Sequence, residues 1–291
     1  MNRVYLSKKL LEIAWVEGRV AKLDVSDVKE RLKTRVGKFR RCGLHVYGRV
    51  LDVGMGSGVD LLAMFSLNLE IEAVGVDFCK GALKFAKAIL PKEATNLVLA
   101  DAAYLPFREG VFDAINVSNM LHHHPYKVLK QIIRELALLL KPNGAIIIEE
   151  PSVGSEGEAL RQEIDSLKSE FETYLKIRRG TTSKRLQAHI YDLIPMFRYG
   201  TTYPSLLKMV VEECGLKIES FHVRKEKASL DYVKILDDLK ERIKNSKIPI
   251  YEREYLTEKA DAIFEKLKLI KPADHKSVVF KAVKPNLTVG V

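Results

Sequence analysis

The chain has 291 residues, 47% of them hydrophobic and 30% charged, which allows one large domain or a core domain with a cap. It has no uninterrupted apolar stretch of about 18 to 20 residues, which argues against a membrane-spanning helix, and Cys42, Cys79 and Cys214 give neither a disulfide framework nor a metal-binding spacing, as fits a reducing cytosol. The net charge of +10 is uneven, since residues 1–48 carry twelve basic and five acidic side chains whereas residues 49–151 are slightly acidic, with ten basic and twelve acidic.

In chain order, MNRVYLSKKLLEIAWVEGRV carries charges through its apolar positions and lacks a small-residue cleavage pattern, so no secretory signal is expected and the expected location is cytoplasmic. Leu10, Leu11, Ala14 and Trp15 recur at helical spacing, which makes residues 1–45 a helical segment packed over a sheet or pocket. RLKTRVGKFRRCG, from Arg31 to Gly43, is the densest basic cluster. Its field would attract nucleic-acid phosphates or an acidic small substrate, but a solvated helix face is the simpler account.

LDVGMGSG follows, from Leu51 to Gly58: an apolar strand ending in an acid, then three alternating glycines. Glycine lacks a Cβ, so such a chain can turn with positive φ and bring backbone N–H groups close to a ligand. A dinucleotide fingerprint spaces its glycines G-x-G-x-x-G, and here Val59 stands where the last would be. No Gly-Lys-Ser/Thr follows, so a P-loop is excluded too. IEAVGVD reads as a buried second strand ending in Asp77, a carboxylate placed either to accept hydrogen bonds from ribose hydroxyls or to cap a helix from about Lys80 to Leu90. TNLVLAD is a third strand ending in Asp101, and a fourth runs from about Phe112 to Asn119. Strands and helices alternating at short intervals predict a parallel sheet, whose ligands gather at the carboxyl ends of its strands. Asp52, Asp77 and Asp101 all fall near those ends, and with no basic residue in the glycine loop they suit a nucleoside carrying a sulfonium cation better than a pyrophosphate.

From Arg49 to Pro151, and more weakly from Tyr203 to Arg224, the sequence resembles the class I S-adenosylmethionine-dependent methyltransferases, in the broad group of the ubiquinone/menaquinone-biosynthesis enzymes. LPF followed by FD (Leu105 to Phe107, Phe112 to Asp113), the run Leu121, His122 and His123, and LLLKPNGAIIIEEP carry the likeness, with Asn143 where a glycine is commoner. Asn tolerates the left-handed conformation such a turn needs. The resemblance implies a Rossmann-like α/β fold: a seven-stranded, mostly parallel sheet with helices on both faces, an antiparallel edge strand, a helical N-terminal segment and helical insertions. It implies S-adenosyl-L-methionine as cofactor, with Gly54, Gly56 and Gly58 under the methionine part and Asp77 on the ribose. Asp101 and the backbone of Ala102 would hold the adenine edge, Phe78 would pack on the adenine, and Asp52, Ser118 and Asn119 would complete the cofactor-binding set.

The division that follows is a cofactor-binding core over 46–151, a helical insertion over 152–202, and a core completion over 203–287 with a second helical insertion at about 227–273. EALRQEIDSLKSEFETYLKI shows helical periodicity, and Tyr191, Met196, Phe197, Tyr199 and Tyr203 have the composition of a pocket wall or lid. KIESFHVRK and HKSVVFKAVK are expected to pair antiparallel at the sheet edge. The long helical connection between them departs from the family's short hairpin, and is a substrate cap, a dimerisation element giving a homodimer, or a surface for a macromolecule.

Methyl transfer from a sulfonium is an in-line displacement that needs mainly orientation. A base is required only if the acceptor is an oxygen, an acidic carbon or a protonated amine. His122 or His123 is the best-placed catalytic candidate, ahead of Tyr199 and Tyr203. Three adjacent imidazoles cannot readily converge on one ion, so no metal is expected at His122 to His124. The acceptor expected is a small molecule. The alternative is an RNA or protein held by the basic N-terminal region, although SNML stands where enzymes that methylate exocyclic base amines carry Asn/Asp-Pro-Pro-aromatic.

Overall fold

In the computed structural model the residues described are 25–124, 126–152, 156–178, 204–226, 231–270, 272 and 275–286. The expected helix at Leu10 to Trp15 and the aromatic group Tyr191, Met196, Phe197, Tyr199 and Tyr203 lie outside them. The chain divides into two compact units, one holding the described residues up to 152 with 204–224 and 277–286, the other holding those within 153–199 and 225–276.

The first unit is built on seven strands: β1 (Arg49–Val53), β2 (Glu72–Asp77), β3 (Thr95–Leu99), β4 (Phe112–Ser118), β5 (Leu140–Ser152), β6 (Lys217–Glu226) and β7 (His275–Val283). Their order is β3-β2-β1-β4-β5-β7-β6, mostly parallel with an antiparallel strand at the edge. β1 pairs in parallel with β2 and β4, setting Asp52 beside both Gly75 and Asn116. Helices α1 (Val25–Arg41), α2 (Val59–Leu67), α3 (Lys80–Ile89), α4 (Tyr126–Leu139) and α6 (Pro204–Glu213) belong to the same unit. The central strands are apolar at nearly every position because both faces are covered, as parallel sheets require. One face packs Leu51, Val53, Val76, Ile115 and Val117 against Ile132, Ile133 and Leu136 of α4 and Leu207 of α6. The other packs Val50, Ala73, Ala114 and Ile147 against Phe39 of α1 and Leu61 and Met64 of α2.

The turn expected at Asn143 is absorbed into β5, which begins directly after α4 and carries an irregularity: the register with β4 jumps from Phe112 opposite Leu140 to Ala114 opposite Ala145. Asn143 does take the left-handed conformation, with φ 63°, and its N–H bonds Lys284 O at 2.9 Å. Two positions of β4 thus span five of β5, so three extra residues of β5 bulge out near the strand's start, where such an irregularity is tolerated because it re-aims the chain.

The second unit contains three described helices, α5 (Glu156–Arg178), α7 (Tyr232–Lys244) and α8 (Ile250–Leu269). Leu160, Ile164, Leu167, Phe171 and Tyr174 alternate four- and three-residue steps along α5 and meet Leu236, Leu239 and Ile243 of α7 and Leu256, Ala260 and Ile263 of α8. That spacing keeps one stripe facing the partner helices. Within this unit Lys259 pairs with the buried Glu170 at 2.5 Å, and burial raises the Glu170 pKa although Lys259 pulls it down. Among the described residues no helix is long and apolar enough to cross a membrane.

Candidate cofactor site

The glycine turn forms where β1 ends. Gly54 and Met55 donate to Val76 O of β2 at 2.9 and 3.1 Å, and Gly58 donates to Met55 O at 2.9 Å, so the loop is tied to the neighbouring strand before α2 starts. The three glycines have φ of 70°, 53° and 77°, a region other L-residues enter at a cost. Their surroundings differ. A Cβ on Gly54 would lie 2.7 Å from Met120 Cγ, and one on Gly58 would lie 3.0 to 3.1 Å from Leu90 and Ala86, whereas a Cβ on Gly56 would meet nothing within 4 Å. Gly54 and Gly58 are therefore packed against, while Gly56 faces open space.

The carboxylate of Asp77 is buried at the tip of β2. Its Oδ2 accepts the Gly56 N–H at 2.9 Å and its Oδ1 accepts the Cys79 N–H at 2.8 Å, so one side chain fixes both the glycine loop and the entry to α3. Burial raises its pKa, opposed by the N–H groups of Cys79, Gly56 and Phe78. The N-cap position of α3 is Cys79, so Asp77 holds the approach to the helix and does not itself occupy the cap. Phe78 beside it is half-buried. Asp101 follows β3 in a tight turn: its Oδ1 accepts the Ala103 N–H at 3.0 Å and its carbonyl accepts from Tyr104, with Ala102 between them. Ser118 ends β4, and Asn119 takes φ 53° while donating to Glu149 O at 2.7 Å. All of the expected cofactor-binding residues thus lie at the carboxyl ends of β1 to β4.

Beneath the glycine loop lies a buried polar layer, on the sheet face that α1 and α2 cover. Strand alternation places Asp52, Asn116, Ser118 and Glu149 there, beyond the apolar Val50, Ala114 and Ile147 of the same face. Lys38, at 1% exposure, enters this layer from α1. Its ammonium donates to Asp60 Oδ1 at 2.5 Å, Ser118 Oγ at 2.7 Å and Asn116 Oδ1 at 3.2 Å, with Glu149 Oε2 at 3.4 Å. Arg35, one turn earlier, bonds Glu149 and lies 3.6 Å from Asp60. Asp60 would be raised by burial, but Arg35 and Lys38 outweigh that and lower its pKa. Asp52 accepts from Asn116 Nδ2 at 2.7 Å through Oδ1, while its Oδ2 is buried without a hydrogen-bond partner. Its pKa is pushed up to about 7, first by burial and then by the charge of Asp60, against the Asn116 bond and the charges of Lys38 and Arg35.

The basic run at Arg31 to Gly43 is therefore only partly a solvated helix face. Arg31, Lys33, Arg40 and Arg41 are exposed, but Lys38 is buried, on the side of α1 that Arg35 three residues earlier and the buried Cys42 four residues later also occupy. On the sheet's other face, Glu150 is fully buried and accepts the N–H groups of Met120 at 2.9 Å, Leu121 at 2.7 Å and His122 at 3.3 Å. His122 Nδ1 bonds the same carboxylate at 2.6 Å, within a 3-10 turn over Leu121–His123. The side chain of His123 lies outside those described. Sequence reasoning missed Lys38, Arg35, Asp60, Asn116, Glu149 and Glu150. Of these only the two acids closing the apolar run IIIEEP carried a local signal.

Residues 51–148 match the family model for a methyltransferase domain. The demethylmenaquinone methyltransferase of Renibacterium salmoninarum is 33% identical over 159 residues, covering 52% of this chain and 63% of that protein. The "Probable tRNA methyltransferase 9B" of Mus musculus is 30% identical over 100 residues, or 34% of this chain and 21% of that one. The chain thus spans less than two thirds of these relatives. A solved phosphoethanolamine N-methyltransferase 2 of Haemonchus contortus, in complex with phosphomonomethylethanolamine and S-adenosylhomocysteine, shares the fold with a TM-score of 0.51 at 20% identity, covering 87% of this chain and 53% of that one.

Proposed function

Residues 51–148 form a class I S-adenosylmethionine-dependent methyltransferase domain, and from that premise we propose that the chain transfers a methyl group from S-adenosyl-L-methionine to a small-molecule acceptor. The observation that carries the reading is Gly56, whose missing Cβ faces open space while its N–H is held by the Asp77 carboxylate at the tip of β2. In this reading Asp77 accepts the ribose hydroxyls, Asp101 and the Ala102 backbone hold the adenine edge, and Phe78 packs on its ring, the roles that the family resemblance implies. The glycine loop runs under the methionine part. Asp52, with its unpartnered buried Oδ2, suits a ligand's ammonium, and Ser118 and Asn119 close that end. When bound, the cofactor supplies a methyl group on a sulfonium that leaves as a neutral thioether.

The bond from His122 Nδ1 to Glu150 favours the ring tautomer with its proton on that nitrogen, which makes Nε2 the basic one. A proton of an oxygen, carbon or ammonium acceptor would pass to it, as in other histidine–carboxylate pairs. The decisive experiment measures adenosylhomocysteine binding by calorimetry, then turnover with a pool of small metabolites, for the wild type and His122→Gln. We expect binding by both and turnover lowered about a hundredfold in the variant, the usual scale for general-base catalysis. No affinity for adenosylhomocysteine alongside uptake of NAD would overturn the reading.

One observation favours a macromolecular acceptor instead: Lys29, Lys33, Arg40 and Arg41 share the exposed side of α1. Methylation of transfer RNA, with affinity falling steeply as salt rises, would establish that alternative.

Asp52 makes cofactor affinity depend on pH. A ligand cation favours its ionised form, so binding releases a proton wherever the free protein is protonated there. With the group pushed up to about 7, affinity is expected to fall as pH drops through 7, by roughly tenfold between pH 7.5 and 6.0. Calorimetry in two buffers of different ionisation enthalpy at about pH 6.5 would register the released proton. Flat affinity across that range would remove Asp52 from the site.

A further inference from the structure

We propose that Lys38 is a positioning residue of the cofactor site: by fixing the Asn116 amide it determines which oxygen of Asp52 is presented at the carboxyl end of β1. The inference rests on the reading of Asp52 given above. An ammonium has three donors and no acceptor, and here each has an oxygen: Asp60 Oδ1, Ser118 Oγ and Asn116 Oδ1. Asn116 must therefore show Lys38 its carbonyl, an orientation that Ser118 reinforces by donating to the same oxygen at 3.3 Å. Its NH2 group then turns toward Asp52, where Nδ2 meets Oδ1 at 2.7 Å. With Oδ1 engaged, Oδ2 is the oxygen left for a ligand. If the amide were reversed, its oxygen would face the Asp52 carboxylate and repel it.

Electrostatics points the same way. The groups facing Asp52 are Asp60 of α2, Lys38 and Arg35 of α1, and the neutral Asn116 of β4. With Glu149 of β5 included, two cations meet three carboxylates, a buried set that a further cation completes. An ammonium this deep is unfavourable to bury, and an apolar side chain would fill the same space without that penalty if packing were its only task.

Two variants separate the parts of the relay. Lys38→Met removes the charge and the hydrogen bonds, whereas Asn116→Leu breaks the connection to Asp52 and leaves the Lys38 to Asp60 pair. Folding is checked by thermal denaturation, and Lys38→Gln replaces Lys38→Met if the latter does not fold. The first readout needs no ligand: the titration midpoint of the Asp52 carboxyl, followed by carbon-13 NMR. It should rise by about one pH unit in both variants, because each loses a group that favours the carboxylate. The second readout is adenosylhomocysteine affinity by calorimetry at about pH 7.5, expected to weaken tenfold or more in each and to show no further loss when Lys38→Met is added to Asp52→Asn.

A folded Lys38→Met protein with the Asp52 midpoint unmoved would overturn the proposal, leaving Lys38 a structural ion-pair partner. If the midpoint shifts but neither wild type nor variants bind adenosylhomocysteine, the relay stands and the cofactor reading fails. If the wild type binds and Lys38→Met binds equally well, the cofactor reading stands and the positioning role fails.

Discussion

Asp77→Ala is expected to weaken adenosylhomocysteine binding by about ten- to a hundredfold, the equivalent of roughly 1 to 3 kcal/mol for charge-assisted hydrogen bonds. Two effects combine. The proposed acceptor for the ribose hydroxyls is lost, and so is the acceptor for the N–H groups of Gly56 and Cys79. A buried donor left without a partner costs about 1 to 3 kcal/mol, so the melting temperature should fall as well. Asp77→Asn should not rescue the site, because one of its two positions becomes NH2 and would face the N–H of either Gly56 or Cys79. Calorimetry and thermal denaturation on the same preparations test this. Undiminished affinity in a folded Asp77→Ala protein would refute the assignment.

The glycine loop gives the second large effect, in which Gly54→Ala and Gly56→Ala part company. At Gly54 the new methyl would sit 2.7 Å from Met120 Cγ on a backbone with φ 70°. Left-handed strain of about 1 to 2 kcal/mol and overpacking of about 1 to 3 kcal/mol would add, so most of the loss should appear as stability. At Gly56 the conformational strain is similar, with φ 53°, but nothing stands in the way of the methyl group. The protein should fold with a loss of about 1 to 2 kcal/mol, while ligand affinity falls by roughly five- to a hundredfold from the methyl in the ligand's space. The comparison of melting temperature with affinity decides it: a Gly56→Ala protein that binds as tightly as wild type would place the ligand elsewhere.

The sheet was largely legible in the residues because β1, β2 and β4 are short apolar runs that end in or near Asp or Ser, the pattern left by two-sided burial, and the more exposed edge strand β3 is still a short run of strand-forming residues before an acid. The same runs marked Asp77, the last residue of β2, and Asp101, two residues past β3, since an acid at the carboxyl end of a parallel strand emerges at the ligand edge. The start of β5 was not legible, because Lys-Pro-Asn-Gly spells a turn and only the pairing with β4 converts it into a bulge. Lys38 was hidden for a different reason. Its side of α1 carries Arg35 one turn earlier and only Cys42 one turn later, so no apolar stripe marks it as inward, although Lys33 and Arg40 lie on the opposite side of the helix. What sets it apart is that α1 covers Asn116 and Ser118, which lie about eighty positions further along the chain.

Glu149 and Glu150 are adjacent in β5 yet serve opposite sides of the sheet, one bonded to Arg35 and the other to the amides of Met120, Leu121 and His122. Parallel strands carry little intrinsic protection against sliding, since a shift by one position preserves an apolar run as it stands. Here a one-residue slip would bring Ile148 against the cations of α1, and would leave three amide donors opposite an unsuitable partner. The pair therefore acts as a molecular notch that favours a single alignment of β4 and β5 over its one-residue slips.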